Sequence, residues 1–540
     1  MNSTLPVAGM DHTLSIGRFS LYLLALVLFL QCTGIIDHSL WTPDEPREAE
    51  IVREMSLSGD YLIPHLAGRP FLEKPPLYYL TATLAYNAFG ERFREAGRFA
   101  SALFGLATLL MIYLTARRLY SEETANLAVL ILATFPLFFL ASHKMLVDVG
   151  LVFFIAAAMC SFILAYKGLL PAGYKLFWLS AAFAFLTKGI IGIAIPGAGI
   201  IIFILWQRDL DILKKGWLFQ GVLLILSVMI TWGFILYLKG GYDYLDTFYI
   251  HNQLGRFIPS SSLYKGGHVR PFYFYLKDVP IQAAPWSILL IPGLIRAKYF
   301  GDTERFLCSW LLGGLILLSL ATTKREIYFL PMYPAMAIFI AHWMSQVGSQ
   351  GHSRWERALL WCILALILAV SIALPIGYVK VAGGDWILAL GLSLALAGIF
   401  WFLWVRYHRK LPLFAVLCWT LTLILWAPAL FPQIDQKKNY EPLFIEFGKI
   451  VSNEEVIGFN LTETVEALGP FYGGFPVVNI EDRDQFINVL KTQNFHYVIV
   501  LPSRMDERLY HELSSRSKLV HKGSGGTRRG MELWRKASSR

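Results

Sequence analysis

The feature that most constrains this chain is a series of about thirteen apolar runs, at 19–36, 98–116, 125–143, 149–166, 174–187, 190–206, 217–238, 274–295, 304–322, 327–345, 357–379, 386–405 and 412–431. A helix needs roughly 20 apolar residues to cross a hydrocarbon core of about 30 Å, and most of these runs are close to that length. Only 16% of the residues are charged, where a soluble chain has about a quarter. A larger core cannot account for that deficit, because single cores stop growing near about 300 residues. The 15% aromatic content excludes disorder. The fold class is therefore a polytopic α-helical membrane protein.

The net charge of +10 would suggest nucleic acid in a soluble protein, but here it reports orientation. With the N-terminus in the cytoplasm, alternate turns hold Arg117-Arg118, Lys167 with Lys175, Arg208 with Lys214-Lys215, Arg296-Lys298-Arg305, His352-Arg354-Arg357 and Arg406-Arg409-Lys410. All are basic, as cytoplasmic turns should be, and the inverted topology would place all six outside. The first run follows Arg18, ends at Asp37-His38 and has no small-residue cleavage site, so it is expected to be an uncleaved signal anchor.

Three segments fall on the far side. Residues 38–97 and 239–273 are loops of a membrane domain spanning 1–431, and 432–540 is expected to be a small α/β domain. Its strands are predicted at Glu455–Phe459, Pro476–Ile480 and Tyr497–Leu501, with helices around 441–451, 482–493 and 505–515. It carries no phosphate loop or nucleophile constellation, and packing or substrate guidance is its simplest role. The cysteines all lie in or beside apolar runs, so no disulfide framework is expected.

Polar chemistry concentrates on the far side. Trp41-Thr42-Pro43-Asp44-Glu45-Pro46-Arg47-Glu48 opens a helix, either as a Thr42/Glu45 capping box or with Asp44 as the cap. Glu73-Lys74-Pro75-Pro76-Leu77 follows in the same loop. A loop of about sixty residues without its own core is usually functional. Asp148 sits at a far-side membrane edge, where an acid is costly and by default functional, though a simple pair with Lys144 would also explain it. Lys188 is a lone cation between two apolar runs. Lys324 and Arg325 are kept on the far side against the bias that governs the other turns. Together with Lys74 and Arg256 they suggest a bound anion such as phosphate; contact with lipid headgroups is the plainer alternative. Acids, cations and aromatics on one face suit transfer of a sugar from a lipid phosphate carrier. A lipid-linked-sugar transporter would instead spread charge along its spans and show repeat symmetry, and neither is visible.

These motifs resemble the bacterial branch of the dolichyl-phosphate-mannose protein mannosyltransferase superfamily, membrane enzymes of the C-type glycosyltransferase fold. The resemblance runs in order through Asp44-Glu45-Pro46-Arg47, Glu73-Lys74-Pro75-Pro76-Leu77, Leu146-Val147-Asp148, His251 with Arg256, Pro271-Phe272-Tyr273-Phe274-Tyr275 and Lys324-Arg325-Glu326-Ile327-Tyr328. Within the superfamily the chain is most similar to the 4-amino-4-deoxy-L-arabinose transferases of lipid A. The resemblance implies Asp44 as principal catalytic acid, Arg47 as its orienting partner and Asp148 as second acid. It implies Lys74, Arg256 and Tyr328 as carrier-phosphate ligands, with Lys188, Lys324 and Arg325 as further candidates. Glu73 and His251 could hold a divalent metal such as zinc, although two ligands make a weak site. An undecaprenyl-phosphate sugar donor, inversion, and reaction at the periplasmic face of the bacterial inner membrane are implied, with lipid A or another envelope glycan as acceptor. Protein O-mannosylation is the alternative within the class. No nucleic-acid partner is expected.

Overall fold

The computed structural model describes residues 17–90, 92–255, 268–296, 300–349, 354–492, 494–523 and 530–537. Each apolar run becomes helical. They are α1 (Arg18–Cys32), α4 (Arg98–Leu119), α5 and α6 (Glu122–Thr134, Pro136–Ser142), α7 (Val147–Tyr166), α8 (Gly173–Lys188), α9 (Ile191–Gln207) and α11 (Leu218–Leu245). The series continues with α12 and α13 (Phe274–Gln282, Leu290–Ile295), α14 (Asp302–Leu320), α15 (Tyr333–Ser349), α16 (Arg354–Lys380), α17 (Trp386–Tyr407) and α18 (Leu411–Lys438). The short α10 (Asp211–Lys215) lies in a turn, and α2 (Glu45–Ser58) and α3 (Leu77–Phe89) lie in the first loop.

Thirteen runs give fewer straight spans than expected. Among the described residues, eight helical segments are long and apolar enough to cross a membrane, or up to ten if each bent pair is one span. One bend, of 71°, falls before Pro136, where proline disfavours helix in the preceding residue; the other, of 112°, separates α12 from the segment after Pro285. Helices α1, α8 and α9 are only 15 to 17 residues long.

The two ends of the bundle differ. At one, Lys167 donates to Asp302 at 2.7 Å, Gln207 to Asp302 at 2.8 Å, Arg305 to Gln207 at 2.9 Å and Tyr120 to Glu304 at 2.8 Å. The ends of α4, α7 and α9 and the start of α14 therefore share one level, as the alternation of basic turns requires. The other end carries the first loop. There the chain leaves α11 through a kink at Gly240 and Gly241, the latter at φ 65°, a backbone that suits glycine. It continues as a π-helical turn, Asp246–Leu254, so this part of the second loop is helical.

Helix α18 runs past residue 431 to Lys438 before the α/β unit begins. That unit has strands β3 (Val456–Phe459), β4 (Val477–Ile480), β5 (Tyr497–Val500), β6 (Ser517–Gly523) and β7 (Met531–Lys536), in the order β4-β3-β5-β7-β6; β1 and β2 form a small hairpin at His65–Pro70. The three predicted strands are the parallel ones. The antiparallel pair β6–β7 was not legible, because Ser517–Gly523 is polar and mostly exposed, as an edge strand can be. The unit sits on the first loop: Thr464 donates to the Pro43 carbonyl at 2.6 Å, Arg69 to the Asn479 carbonyl at 2.9 Å and the Leu40 amide to the Tyr472 hydroxyl at 3.0 Å.

Candidate active site

Helix α2 starts at Glu45 with Pro46 in its first turn, where a missing N–H costs nothing. Asp44 stands at the cap position but makes no side-chain cap bond. Both its carboxylate oxygens go elsewhere. Arg325 Nη1 donates to Oδ1 at 2.9 Å and Nη2 to Oδ2, a bidentate clamp from the turn that follows α14. Arg47 places Nη2 3.6 Å from Oδ1. Burial opposes ionisation of Asp44, but the hydrogen bonds and charge of Arg325, with Arg47 and Lys74 behind, outweigh it. The carboxyl is held well below the usual carboxylate range.

Arg47 also meets Glu48 at 3.1 Å, reaches Glu463 in the α/β unit and lies 5.5 Å from the centre of the Phe71 ring. Glu48 is buried and accepts from Lys74 Nζ and from the Tyr79 hydroxyl, each at 2.5 Å. Lys74 is thus paired with Glu48. Asp148, in the first turn of α7, pairs with Lys188 at the end of α8 and not with Lys144. The Lys188 ammonium stands 4.7 Å from the centre of the Tyr328 ring.

Lys74, Lys188, Tyr328 and Glu73 line one open cavity. Its remaining wall includes Asn252 and Gln253 from the π-helical turn and apolar Leu151, Ile191 and Leu318. Asn252 donates to the Leu72 carbonyl at 3.1 Å, and Gln253 accepts from the Ile190 amide at 2.9 Å, which ties the second loop to the first loop and to α9.

Not every predicted residue arrives at this cavity. Lys324 is buried, and its ammonium donates to the carbonyls of Arg270, at 3.1 Å, and Ala321. It fastens the turn beside the Val269–Thr323 bridge rather than facing a ligand. Arg325 serves the Asp44 carboxylate. His251 sets Nδ1 3.0 Å from Asp246, and among the described residues no three His, Cys, Asp or Glu side chains converge as metal ligands. Two side chains, Glu73 and His251, are fewer than the three protein ligands of a typical catalytic zinc site. Arg256 lies outside the described residues, as do Lys298 and His352.

Sequence reasoning missed the main strut behind the site. Glu45 is fully buried and accepts from Arg98 Nε at 2.5 Å, Arg98 Nη2 at 3.0 Å, the Trp41 amide at 2.7 Å and the Met145 amide at 2.9 Å. Arg98 further donates to the carbonyls of Ile35, His38 and Ser39. The available signal was Arg98 itself, a cation at the far-side end of a span, against the same bias that drew attention to Arg325.

Comparison with known proteins agrees with this architecture. The profile of the family described as dolichyl-phosphate-mannose-protein mannosyltransferase matches residues 73–234. An undecaprenyl phosphate-alpha-4-amino-4-deoxy-L-arabinose arabinosyl transferase of Aeromonas hydrophila is 30% identical over 361 residues, 64% of each chain. The transferase of the same name from Pseudomonas paraeruginosa is 31% identical over 366 residues, 66% of this chain and 65% of its own. The chain thus spans just under two thirds of the length of these relatives. Crystal structures of ArnT from Cupriavidus metallidurans, one in the apo state and one bound to undecaprenyl phosphate, superpose with TM-scores of 0.76 and 0.75 at 18% identity. The first match covers 95% of this chain and 97% of that one. The resemblance read from the motifs holds, and the fold is the C-type glycosyltransferase fold of a multi-pass membrane protein.

Proposed function

We propose that the chain transfers a sugar, 4-amino-4-deoxy-L-arabinose, from undecaprenyl phosphate to a phosphate group of lipid A, with inversion. The single observation that carries this reading is one cavity walled by Lys74, Lys188 and Tyr328, with Lys188 paired to Asp148 and the Arg325-clamped Asp44 within the electrostatic reach of Lys74. The likeness to the arabinose transferases of Aeromonas and Pseudomonas supports the choice of sugar and carrier.

In this reaction an acceptor oxygen attacks the anomeric carbon as the bond to the carrier phosphate breaks. Negative charge grows on the departing phosphate, where Lys74 and Lys188 stand ready to receive it. Both cations are pre-paired, with Glu48 and Asp148, so they are positioned before the donor arrives rather than ordered by it. Tyr328 offers an aromatic face at the same wall. Asp44 is a weak base, because Arg325 holds its carboxyl far below neutrality. It therefore acts by orientation and electrostatics. That suits a phosphate acceptor, which is already ionised, better than a serine or threonine hydroxyl, which would need a proton removed. The basic turns gather at the opposite end of the bundle, which supports a periplasmic position for the cavity in a bacterial inner membrane.

The test is reconstitution. In proteoliposomes holding the purified chain, undecaprenyl-phosphate aminoarabinose and lipid A, the account expects a pentosamine increment on lipid A by mass spectrometry. Transfer to a peptide hydroxyl with none to lipid A would overturn it.

A further inference from the structure

Around Asp44 the buried and half-buried cations fall into two sets. Arg47, Lys74, Arg98, Lys188 and Arg325 each meet a carboxylate, and Lys324 meets two carbonyls. Lys144 and Lys438 do not. Among the described residues neither ammonium has a carboxylate or carbonyl partner; both stand over one indole, 5.3 Å and 5.7 Å from the centre of the Trp41 ring. The natural counter-charge for Lys144, Asp148, is taken by Lys188.

The two lysines come from distant parts of the chain, the turn between α6 and α7 and the last residue of α18. Their meeting is therefore a product of the fold. Trp41 is fixed in place: its Nε1 donates to Asp435 at 2.9 Å, its amide to Glu45 at 2.7 Å, and His38 and Phe431 pack on it at ring separations of 4.1 and 5.3 Å. Burial, and then the charge of Lys438, lowers the Lys144 ammonium to about 8, against the pull of Glu45 and Asp44. A cation–π contact offsets only part of the cost of two neighbouring, partly buried charges. An anion would complete the arrangement.

We propose that Lys144 and Lys438, above Trp41, bind the phosphate monoester of the acceptor, at a subsite distinct from the donor cavity of Lys74 and Lys188. This rests on the sugar-transfer reading above. Asp44, three residues beyond Trp41, is within the electrostatic reach of both Lys74 and Lys144. The charge balance of the reaction fits. A phosphate oxygen of the acceptor forms the new bond to the anomeric carbon, and the carrier phosphate leaves with the electrons of the broken bond. The acceptor, a monoester become diester, loses one negative charge, and the carrier gains it. No proton need move. The lysine pair thus holds substrate more strongly than product, which favours release.

Binding of bisphosphorylated lipid A to the full chain in nanodiscs of zwitterionic lipid tests the subsite. The double variant K144M/K438M should bind at least about ten-fold more weakly, since hydrogen bonds between charged partners carry that much affinity. Its affinity for undecaprenyl phosphate should be unchanged, which also shows that it folds, and K144R/K438R should retain lipid A. Unchanged lipid A affinity in the methionine variant, or equal binding of dephosphorylated lipid A, would overturn the proposal. Loss of lipid A binding when phosphatidylglycerol is added at equal concentration would assign the lysines to ordinary membrane anions and overturn it too. If the wild type binds lipid A through these lysines but transfers no sugar, the functional reading fails while the subsite stands.

Discussion

Asp44 and Glu45 are consecutive carboxylates, and their surroundings are opposite. Glu45 is fully buried, with Arg98 and two backbone amides filling its acceptor positions. Asp44 keeps about a fifth of its side chain exposed, and its partners are the clamp from Arg325 and the more distant Arg47. The first pair joins α2 to α4 and to the backbone of residues 35–41. The second joins the start of α2 to the turn after α14. Two acids in one turn thus divide the work: one carries the fold, the other is held ionised at a surface a substrate can reach. Saturation of its acceptor positions inside the protein marks the structural acid.

This comparison is open to attack. The largest effect is expected where saturation is complete: Glu45→Ala or Arg98→Ala leaves a buried charge unpaired, a loss of about 3–5 kcal/mol. Thermal melts in detergent should show it, and near-normal melting would break the distinction. Next comes Asp44→Asn. It should fold almost as well as the wild type yet slow transfer about 10²–10³-fold, the cost of removing one preorganised electrostatic group. A variant with normal kcat would return Asp44 to a capping role. Lys188→Met should weaken undecaprenyl phosphate binding about ten-fold with a smaller effect on melting, measured by titration.

The smallest effect is in pH dependence. The folded pKa of Asp44 is depressed, so its stabilising contribution is full above the ordinary carboxylate value of about 4 and fades only as pH falls through the depressed one. Acid melts of wild type and Asp44→Asn should therefore keep a constant separation above pH of about 4 and draw together only as pH falls progressively below it. The transfer rate should show no acid limb from Asp44 at mildly acidic pH.

Much of the architecture could be read in the sequence because membrane helices and their basic turns are properties of contiguous segments. The same holds for strands β3, β4 and β5, which are short apolar blocks. Partners are not local. The sequence offers Lys144, four residues away, as the plain alternative partner of Asp148, but α8 brings Lys188 instead. Asp44 looked like a helix cap until the turn after α14 supplied Arg325. Lys324 and Arg325 were equivalent as neighbouring cations, and only the fold separates the one that ties down carbonyls from the one that holds the acid. Asn252 and Gln253 lie in a polar stretch that the sequence marks beside His251, but their place at the cavity depends on the kink at Gly240 and Gly241.

The most direct test is the mass spectrum of lipid A from cells lacking the gene, complemented with either the wild-type chain or Asp44→Asn at matched membrane levels. The account predicts a pentosamine increment on a lipid A phosphate with the wild type and a near-complete loss with the variant. An increment of equal intensity from both would contradict it.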